Sequence, residues 1–133
     1  MKQRASKRRA KSPAKPRKSA SKKSSAARTR TVGVTYDDLR RVAREFPGIE
    51  ESTSYGTAAL KVGGTLLVRL KEDGETVVLK TTFTDRDLLM HADPDVYFIT
   101  DHYRNYPYVL VRLPRIRLKE MRDRLEEAWT RER

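Results

Sequence analysis

The first 30 residues cannot contribute to a hydrophobic core, and this confines the fold of the 133-residue chain to the residues that follow. Among these 30 residues, 13 are lysine or arginine, none is acidic, and the only apolar side chains after Met1 are alanine and proline. Such a composition buries too little apolar surface to offset the entropy lost on ordering. The sequence therefore predicts a disordered basic arm over residues 1–32 and one folded domain over residues 33–133, a length that suits a single core.

The formal net charge of +12 comes from this arm, because the remaining 103 residues carry 17 bases and 18 acids. Lysine and arginine neutralise nucleic-acid phosphates and release condensed counterions, which requires neither a fold nor a base sequence. We therefore expect the arm to bind nucleic acid, DNA in preference to RNA. The arm residues expected to contact phosphates are Lys7, Arg8, Arg9, Lys11, Lys15, Arg17, Lys18, Lys22, Lys23, Arg28 and Arg30. A ribosomal RNA or membrane-surface contact, a localisation signal and a solubilising extension are the alternatives for such a run.

Several functional classes are disfavoured by residues that the chain lacks. The absence of cysteine excludes disulfides, thiolate zinc sites and cysteine nucleophiles. No segment approaches the ~20 apolar residues of a membrane span or resembles a secretory signal, and the arm has no Trp, Phe or Leu to anchor it in a membrane surface. The two histidines, His91 and His102, lack metal-ligand spacing, and no nucleophile or phosphate-loop motif occurs. We expect a non-enzymatic protein without cofactor, metal or membrane partner, located in the cytoplasm and nucleoid-associated if bacterial.

Helical spacing begins at Thr35, where Thr35-Tyr36-Asp37-Asp38 has the form of a capping box and apolar residues follow at helical intervals up to Phe46. Pro47-Gly48 ends this helix. Alternating apolar residues then predict a three-stranded meander, with a first strand between Ser52 and Val62 and further strands over residues 65–70 and 75–81. Gly63-Gly64 predicts the hairpin turn after the first strand, and residues 71–74 predict the next turn.

The second half of the domain alternates helix and strand patterns again. Thr84-Asp85-Arg86-Asp87 predicts the start of a short helix, which Asp93-Pro94 closes. Residues 96–100 and 108–113 predict two more strands from their β-branched and aromatic content. A last helix follows from the apolar stripe Leu118, Met121, Leu125, Ala128 and Trp129. The order helix, three strands, helix, two strands, helix predicts a two-layer α+β domain with an antiparallel sheet.

Six short motifs are spaced along this folded part, and the similarity that they carry extends over roughly residues 36–129. They are Phe46-Pro47-Gly48-Ile49-Glu50-Glu51-Ser52, Tyr55-Gly56, Leu60-Lys61-Val62, Ala92-Asp93-Pro94, Thr100-Asp101-His102-Tyr103 and Val109-Leu110-Val111-Arg112-Leu113. Together they resemble the MmcQ/YjbR-like family. The resemblance implies a secretion-chaperone-like fold with the same order of elements, DNA binding through a double-wing arrangement, and no enzymatic activity. Many members carry a tryptophan before the last strand, where this chain has Tyr106-Pro107-Tyr108, so a stacking role there falls to tyrosine.

One group of candidate contact residues lies on the predicted strands. If the apolar alternation faces the helices, then Lys61, Arg69, Lys80 and Arg112 all point to the open side of the sheet. Four basic side chains on the same side of the sheet predict a shallow anion-binding face. The alternative is that long basic side chains only cover a solvated face.

A second group lies in the predicted loop before the last strand. Its members are His102, Tyr103, Arg104, Tyr106 and Tyr108. Aromatic rings with an arginine suit base stacking and phosphate contact, although tyrosines beside strands also close core edges. Tyr55-Gly56 marks either a pocket or a β-bulge, and the bulge is favoured. A small-molecule or enzymatic site would need a concave pocket near Tyr55, Lys61 and His102.

The sequence favours a DNA-binding protein that is largely non-specific for base sequence, in which the arm supplies electrostatic affinity and the domain orients or recruits. The alternative is a chaperone-like protein-interaction module that the arm tethers to nucleic acid or to ribosomes. The open face of the sheet separates these two hypotheses. Basic residues on that face favour an anionic ligand, whereas an apolar face favours a protein partner.

Overall fold

The computed structural model describes residues 32–133, so the predicted arm over residues 1–32 lies outside the described residues except for Val32. The helices are α1 (Tyr36–Ala43), α2 (Phe83–Ala92) and α3 (Leu118–Glu132). The strands are β1 (Ile49–Ser54), β2 (Thr57–Val62), β3 (Thr65–Leu70), β4 (Thr76–Lys80), β5 (Tyr97–Phe98) and β6 (Tyr108–Arg112). Two single-turn 3-10 helices, Asp101–Tyr103 and Leu113–Arg115, lie on either side of β6.

The strands form one antiparallel sheet in the order β1-β2-β3-β4-β6-β5, which confirms the predicted α+β class. The sequence predicts three strands before α2, whereas the structure has four. The additional strand, β1, is an edge strand that pairs with β2 along its whole length, from Ile49↔Val62 to Ser54↔Thr57. Most of its side chains are exposed, so no apolar alternation marks it in the sequence.

Tyr55 and Gly56 form the two-residue turn between β1 and β2, so the β-bulge predicted there is wrong. Both residues have positive φ, 53° and 81°, as a type I′ hairpin turn requires. The turn places the Tyr55 ring in solvent, with 86% of the residue exposed.

The irregular position of the sheet lies on β3 instead. Leu67 falls between the register pairs Leu60↔Val68 and Lys61↔Leu66. Because Leu67 and Val68 are both fully buried in the core, the next residue, Arg69, lies on the opposite face of the sheet.

Capping explains where the first two helices begin. The predicted capping box of α1 is confirmed, since the Asp38 N–H donates to Thr35 Oγ1 at 3.1 Å and the Thr35 N–H donates to the Asp38 carboxylate at 3.0 Å. Helix α2 begins two residues earlier than predicted, because the Thr82 hydroxyl accepts the Asp85 N–H at 3.0 Å and acts as the N-cap. Thr84 therefore lies inside the first turn.

The hydrophobic core lies between one sheet face and helices α1 and α3. Met121, Leu125 and Ala128 of the predicted α3 stripe are fully buried. Trp129 anchors the end of this helix, because its Nε1–H donates to the Pro47 carbonyl at 2.8 Å. Within residues 32–133, none of the helices has the length and apolar character that a membrane span requires.

Candidate functional site

The structure places the four basic strand residues on the face of the sheet opposite the core, here called the open face. Arg69 pairs directly with Val78 across β3 and β4, and Lys61, Lys80 and Arg112 lie at the matching parity on their own strands. Although the four side chains lie on the same face of the sheet, their surroundings differ. Two of the four, Arg69 and Arg112, donate side-chain hydrogen bonds within the domain.

Arg112 is engaged in the structure of the neighbouring segment. Its Nη1 donates to the carbonyl oxygens of Pro94 and Asp95, each at 3.2 Å, and its guanidinium lies 4.0 Å from the Phe98 ring centroid. These contacts hold the residues before β5 against β6. Arg112 therefore stabilises the edge of the sheet, and its guanidinium is less available to an external anion.

Arg69 is the most buried of the four, with 5% of the residue exposed, so it does not lie on a solvated surface as the strand pattern predicts. Its Nε donates to the Ser54 carbonyl at 3.0 Å, and its Nη2 donates to Glu72 Oε2 at 2.8 Å. The guanidinium also lies 5.2 Å from the Tyr55 ring centroid. Within residues 32–133, Nη1 of Arg69 makes no hydrogen bond, so its two N–H groups remain available to a ligand.

Arg69 lies in a depression of about 320 Å³ in the open face, which is called the tyrosine pocket below. Its lining consists of Ser54, Tyr55, Leu66, Arg69, Val78, His102, Tyr103, Tyr106 and Tyr108. The structure thus brings together all five residues predicted for stacking or for a pocket, from the β1–β2 turn and from the loop before β6. Lys61, predicted near such a pocket, does not line it but pairs across the strands with Leu66, which does.

A buried arginine on α2 fixes the loop that forms one side of the tyrosine pocket. Nη1 of Arg86 donates to the carbonyl oxygens of Tyr103, Tyr106 and Tyr108, at 3.1, 2.9 and 3.4 Å. Nη2 donates to the Arg104 carbonyl at 3.1 Å. Arg86 is 7% exposed, and the described residues give it no carboxylate partner. The loop carbonyls therefore solvate the two Nη groups of this cation, while its Nε makes no hydrogen bond among the described residues. The cation in turn holds the backbone of three pocket tyrosines in place.

Three cations lie beside three of the pocket tyrosines. Arg69 lies over Tyr55, Lys71 Nζ is 5.8 Å from the Tyr103 ring centroid, and Lys80 Nζ is 5.5 Å from that of Tyr108. Such distances are within the range of cation–π attraction. The tyrosine pocket therefore combines aromatic faces with positive charge.

The pocket aromatic rings also contact one another. His102 and Tyr103 pack edge to face with centroids 4.7 Å apart, and Tyr103 and Tyr108 do so at 6.1 Å. Burial raises the pKa of the Tyr108 hydroxyl, and the negative charge of Glu132 adds to this effect. Tyr108 therefore stays protonated at neutral pH and can donate a hydrogen bond.

Arg104, also predicted to contact nucleic acid, does not line the tyrosine pocket. Its side chain is 65% exposed and forms an ion pair with Asp101, which reduces its local positive charge. Its main contribution to the site is its carbonyl oxygen, which accepts from Arg86.

Sequence reasoning missed two residues of this site. Arg86 lies between two aspartates in a helix start, a setting typical of a solvated residue, and only tertiary structure reveals its burial. Lys71 follows β3 in a turn, and only the path of the loop across the open face brings it near Tyr103.

The match to the YjbR family covers residues 44–131, which is two thirds of the chain. The chain belongs to the YjbR family. It is 44% identical over 41 residues to the uncharacterised proteins Rv2570 of Mycobacterium tuberculosis and Mb2600 of Mycobacterium bovis, an alignment that covers 31% of this chain and 32% of each relative. The chain thus matches about a third of the length of these curated relatives.

The fold is similar to the crystal structure of the Deinococcus radiodurans protein DR2400, a DUF419 domain, with a TM-score of 0.61. The sequence identity is 23%, and the match covers 71% of this chain and 75% of that chain. At this identity the similarity concerns the fold alone. It agrees with the fold that the motifs of this YjbR-family chain imply.

Proposed function

We propose that this YjbR-family protein binds nucleic acid, with the basic N-terminal segment supplying electrostatic affinity and the open face of the domain supplying the second contact. The observation that carries this proposal is the tyrosine pocket, in which aromatic rings surround a buried guanidinium. Proteins that bind nucleic acid without reading a sequence combine cations that follow the backbone with aromatic rings on which bases stack.

The positive charge of the open face is local. The 103 residues after the first 30 carry one more acid than base, but Arg69, Lys71 and Lys80 lie together beside the pocket. The Glu72 carboxylate is the acidic partner of Arg69, and Glu50 lies across from Lys61 on the adjacent strand. Lys71 and Lys80 form no ion pair within the described residues. They are therefore the strongest candidates for phosphate contact on the domain.

The test compares the salt dependence of binding in the full-length chain with and without these two lysines. Fluorescence anisotropy with labelled DNA, from about 50 to 200 mM salt, gives the slope of log affinity against log salt concentration. The double variant Lys71→Gln/Lys80→Gln is expected to reduce the magnitude of that slope by about 0.7–0.9 for each phosphate that the domain no longer neutralises. The control is Lys119→Gln on α3, outside the open face; the side chain of this lysine is 86% exposed and pairs with Asp123. Equal slopes for the double variant and the wild type contradict a phosphate contact on the open face.

Removal of residues 1–30 measures the contribution of the basic segment. We expect a large loss of affinity, because these residues supply 13 positive charges. Residual binding by the shortened chain that still depends on Lys71 and Lys80 supports the second contact. No residual binding assigns the nucleic-acid contact to the basic segment alone.

A second candidate function, a protein-interaction module, is favoured by exposed apolar residues on α2. Phe83 is 47% exposed and Leu88 is 63% exposed, and neither belongs to the open face. Sedimentation velocity of the wild type and of Leu88→Ser across protein concentrations tests whether this surface mediates self-association. A concentration-dependent assembly that Leu88→Ser abolishes supports this candidate.

A further inference from the structure

We propose that the tyrosine pocket receives one unpaired nucleobase, with Arg69 binding the phosphate or a base oxygen of the same nucleotide. The domain then prefers single-stranded nucleic acid to duplex. This inference rests on the proposed function and adds to it the kind of ligand that the open face accepts.

The size and lining of the pocket suit a single aromatic ring. Its volume of about 320 Å³ lies at the lower end of the range for small-molecule sites, roughly 300–1,000 Å³. Leu66 and Val78 of the sheet contribute apolar surface, and four tyrosines surround them. Bases bind on such surfaces through their faces, which all four bases present.

Arg69 supplies a polar group at the position where a nucleotide would need one. Two of its three guanidinium nitrogens are held by Ser54 and Glu72, which fixes the plane of the group. The third nitrogen makes no hydrogen bond to any residue between 32 and 133. A planar guanidinium with a donor available matches phosphate oxygens and the carbonyl oxygens of base edges.

The loop side of the pocket is formed before any ligand binds. Arg86 holds the backbone of Tyr103, Tyr106 and Tyr108 through three carbonyl oxygens. Binding then loses less conformational entropy than it would with a mobile loop, because the rings start near their bound positions. Arg86 is therefore a positioning residue of the proposed site.

A pocket that accepts one base disfavours the binding of duplex nucleic acid. Bases in a duplex are paired and stacked, so inserting one into the pocket requires unstacking and unpairing it. An unpaired base in a single strand avoids most of that cost. The 13 bases of the N-terminal segment, by contrast, can bind the phosphates of either form, so the preference for single strands arises from the pocket.

The experiment uses the full-length chain at about 150 mM salt, where exposed charges are substantially screened. Anisotropy compares three labelled ligands of equal length, about 12 nucleotides, which lies within the site sizes of single-strand binders. The ligands are an oligothymidylate, an abasic strand with the same phosphates, and a duplex. We expect the oligothymidylate to bind roughly tenfold more tightly than the abasic strand, the order of magnitude of one stacked base.

The double variant Tyr55→Asn/Tyr106→Ala removes two exposed rings of the pocket, from residues that are 86% and 55% exposed, so the core is untouched. Asparagine tolerates the positive φ at position 55 and preserves the turn. We expect this variant to lose the preference for oligothymidylate and to keep its affinity for the abasic strand. The matched control is Leu118→Ala, an exposed apolar residue of α3 outside the open face, which is expected to leave all three affinities unchanged.

The outcomes separate this inference from the proposed function. Equal wild-type affinity for the three ligands, with a normal salt dependence, overturns the base pocket and leaves nucleic-acid binding intact. A preference for oligothymidylate that survives Tyr55→Asn/Tyr106→Ala also overturns it. Failure to bind any of the ligands overturns the proposed function itself.

A free nucleotide presents the same ring and phosphate as a nucleotide within a strand. Thymidine monophosphate therefore serves as a competitor against the labelled oligothymidylate. One possible result is that thymidine monophosphate lowers the apparent affinity of the wild type for oligothymidylate to the affinity measured for the abasic strand. That result assigns the pocket to free nucleotides as well as to strands. No displacement, together with the oligothymidylate preference, assigns it to strands alone.

Discussion

The two faces of the sheet bury their residues by different means. On the core face, Leu60, Val77 and Val111 are fully buried, and helices α1 and α3 cover that face. On the open face, Arg69 is 5% exposed, and the Tyr55 turn and the loop before β6 surround it. Both faces bury apolar side chains, but the open face also holds a buried cation through directional hydrogen bonds to a carbonyl and a carboxylate group. We therefore expect substitutions on the core face to reduce stability most, and the open face carries the proposed nucleic-acid contact.

The largest effect is expected on the core face. Leu125→Ala removes a fully buried side chain of α3 and should reduce the free energy of unfolding by about 2–5 kcal/mol, through reduced apolar burial and a remaining cavity. Urea denaturation measures the change. Tyr106→Ala on the open face is the matched comparison, with an expected change of about 0.5 kcal/mol or less because the ring is 55% exposed. Similar losses for the two variants contradict the contrast between the faces.

The next effect concerns the buried cation behind the tyrosine pocket. Arg86→Gln removes the donors for four loop carbonyls and should reduce the free energy of unfolding by about 1–3 kcal/mol. Amide hydrogen exchange should become faster in residues 101–107, while the strands of the core keep their protection.

Arg112→Gln provides a matched control for that experiment. This arginine also donates to two backbone carbonyls, those of Pro94 and Asp95, on the other side of β6. Its loss should accelerate exchange around residues 94–96 and leave residues 101–107 unchanged. Uniformly faster exchange in Arg86→Gln indicates a general loss of stability and contradicts a local role for Arg86.

The core face was readable from the sequence because period two and helical spacing report burial against an apolar layer. This is why the α3 stripe was predicted, whereas the Gly63-Gly64 turn and the α1 capping box were predicted from local turn and cap motifs. Strand β1 was not, since an exposed edge strand carries no apolar alternation and is held by its backbone pairing with β2. Alternation predicted which face Arg69 occupies, but its burial depends on a loop more than 30 residues further along the chain. Local pattern contains no information about such a covering segment.

A smaller effect is expected from the cap of α1, on the core side. Thr35→Ala removes the hydroxyl that accepts the Asp38 N–H and should reduce the free energy of unfolding by about 1 kcal/mol. Thr35→Ser retains the hydroxyl and should recover most of that loss. If alanine and serine give the same stability, the capping hydrogen bond does not stabilise the helix.

The smallest effect at neutral pH is expected at Tyr36, a tyrosine of α1 that packs against the core. Its hydroxyl is buried and makes no hydrogen bond within the described part of the chain, so Tyr36→Phe should change the free energy of unfolding by less than about 1 kcal/mol near neutral pH, in the stabilising direction. Burial raises the pKa of the Tyr36 hydroxyl to about 12, and the charge of Glu51 contributes to this shift.

The pKa of Tyr36 also gives the prediction a pH dependence with a definite sign. The unfolded chain ionises this hydroxyl near its ordinary pKa of 10.0, whereas the folded domain holds it neutral up to about 12. The contribution to stability is therefore complete below about pH 10 and is lost as the pH rises toward 12. Tyr36→Phe removes this loss, so the variant should gain stability relative to the wild type between about pH 10 and 12 in urea denaturation. Tyr106→Phe is the control variant, because Tyr106 is an exposed tyrosine on the other face of the sheet. A parallel pH dependence for the wild type and Tyr36→Phe contradicts the burial of the Tyr36 hydroxyl.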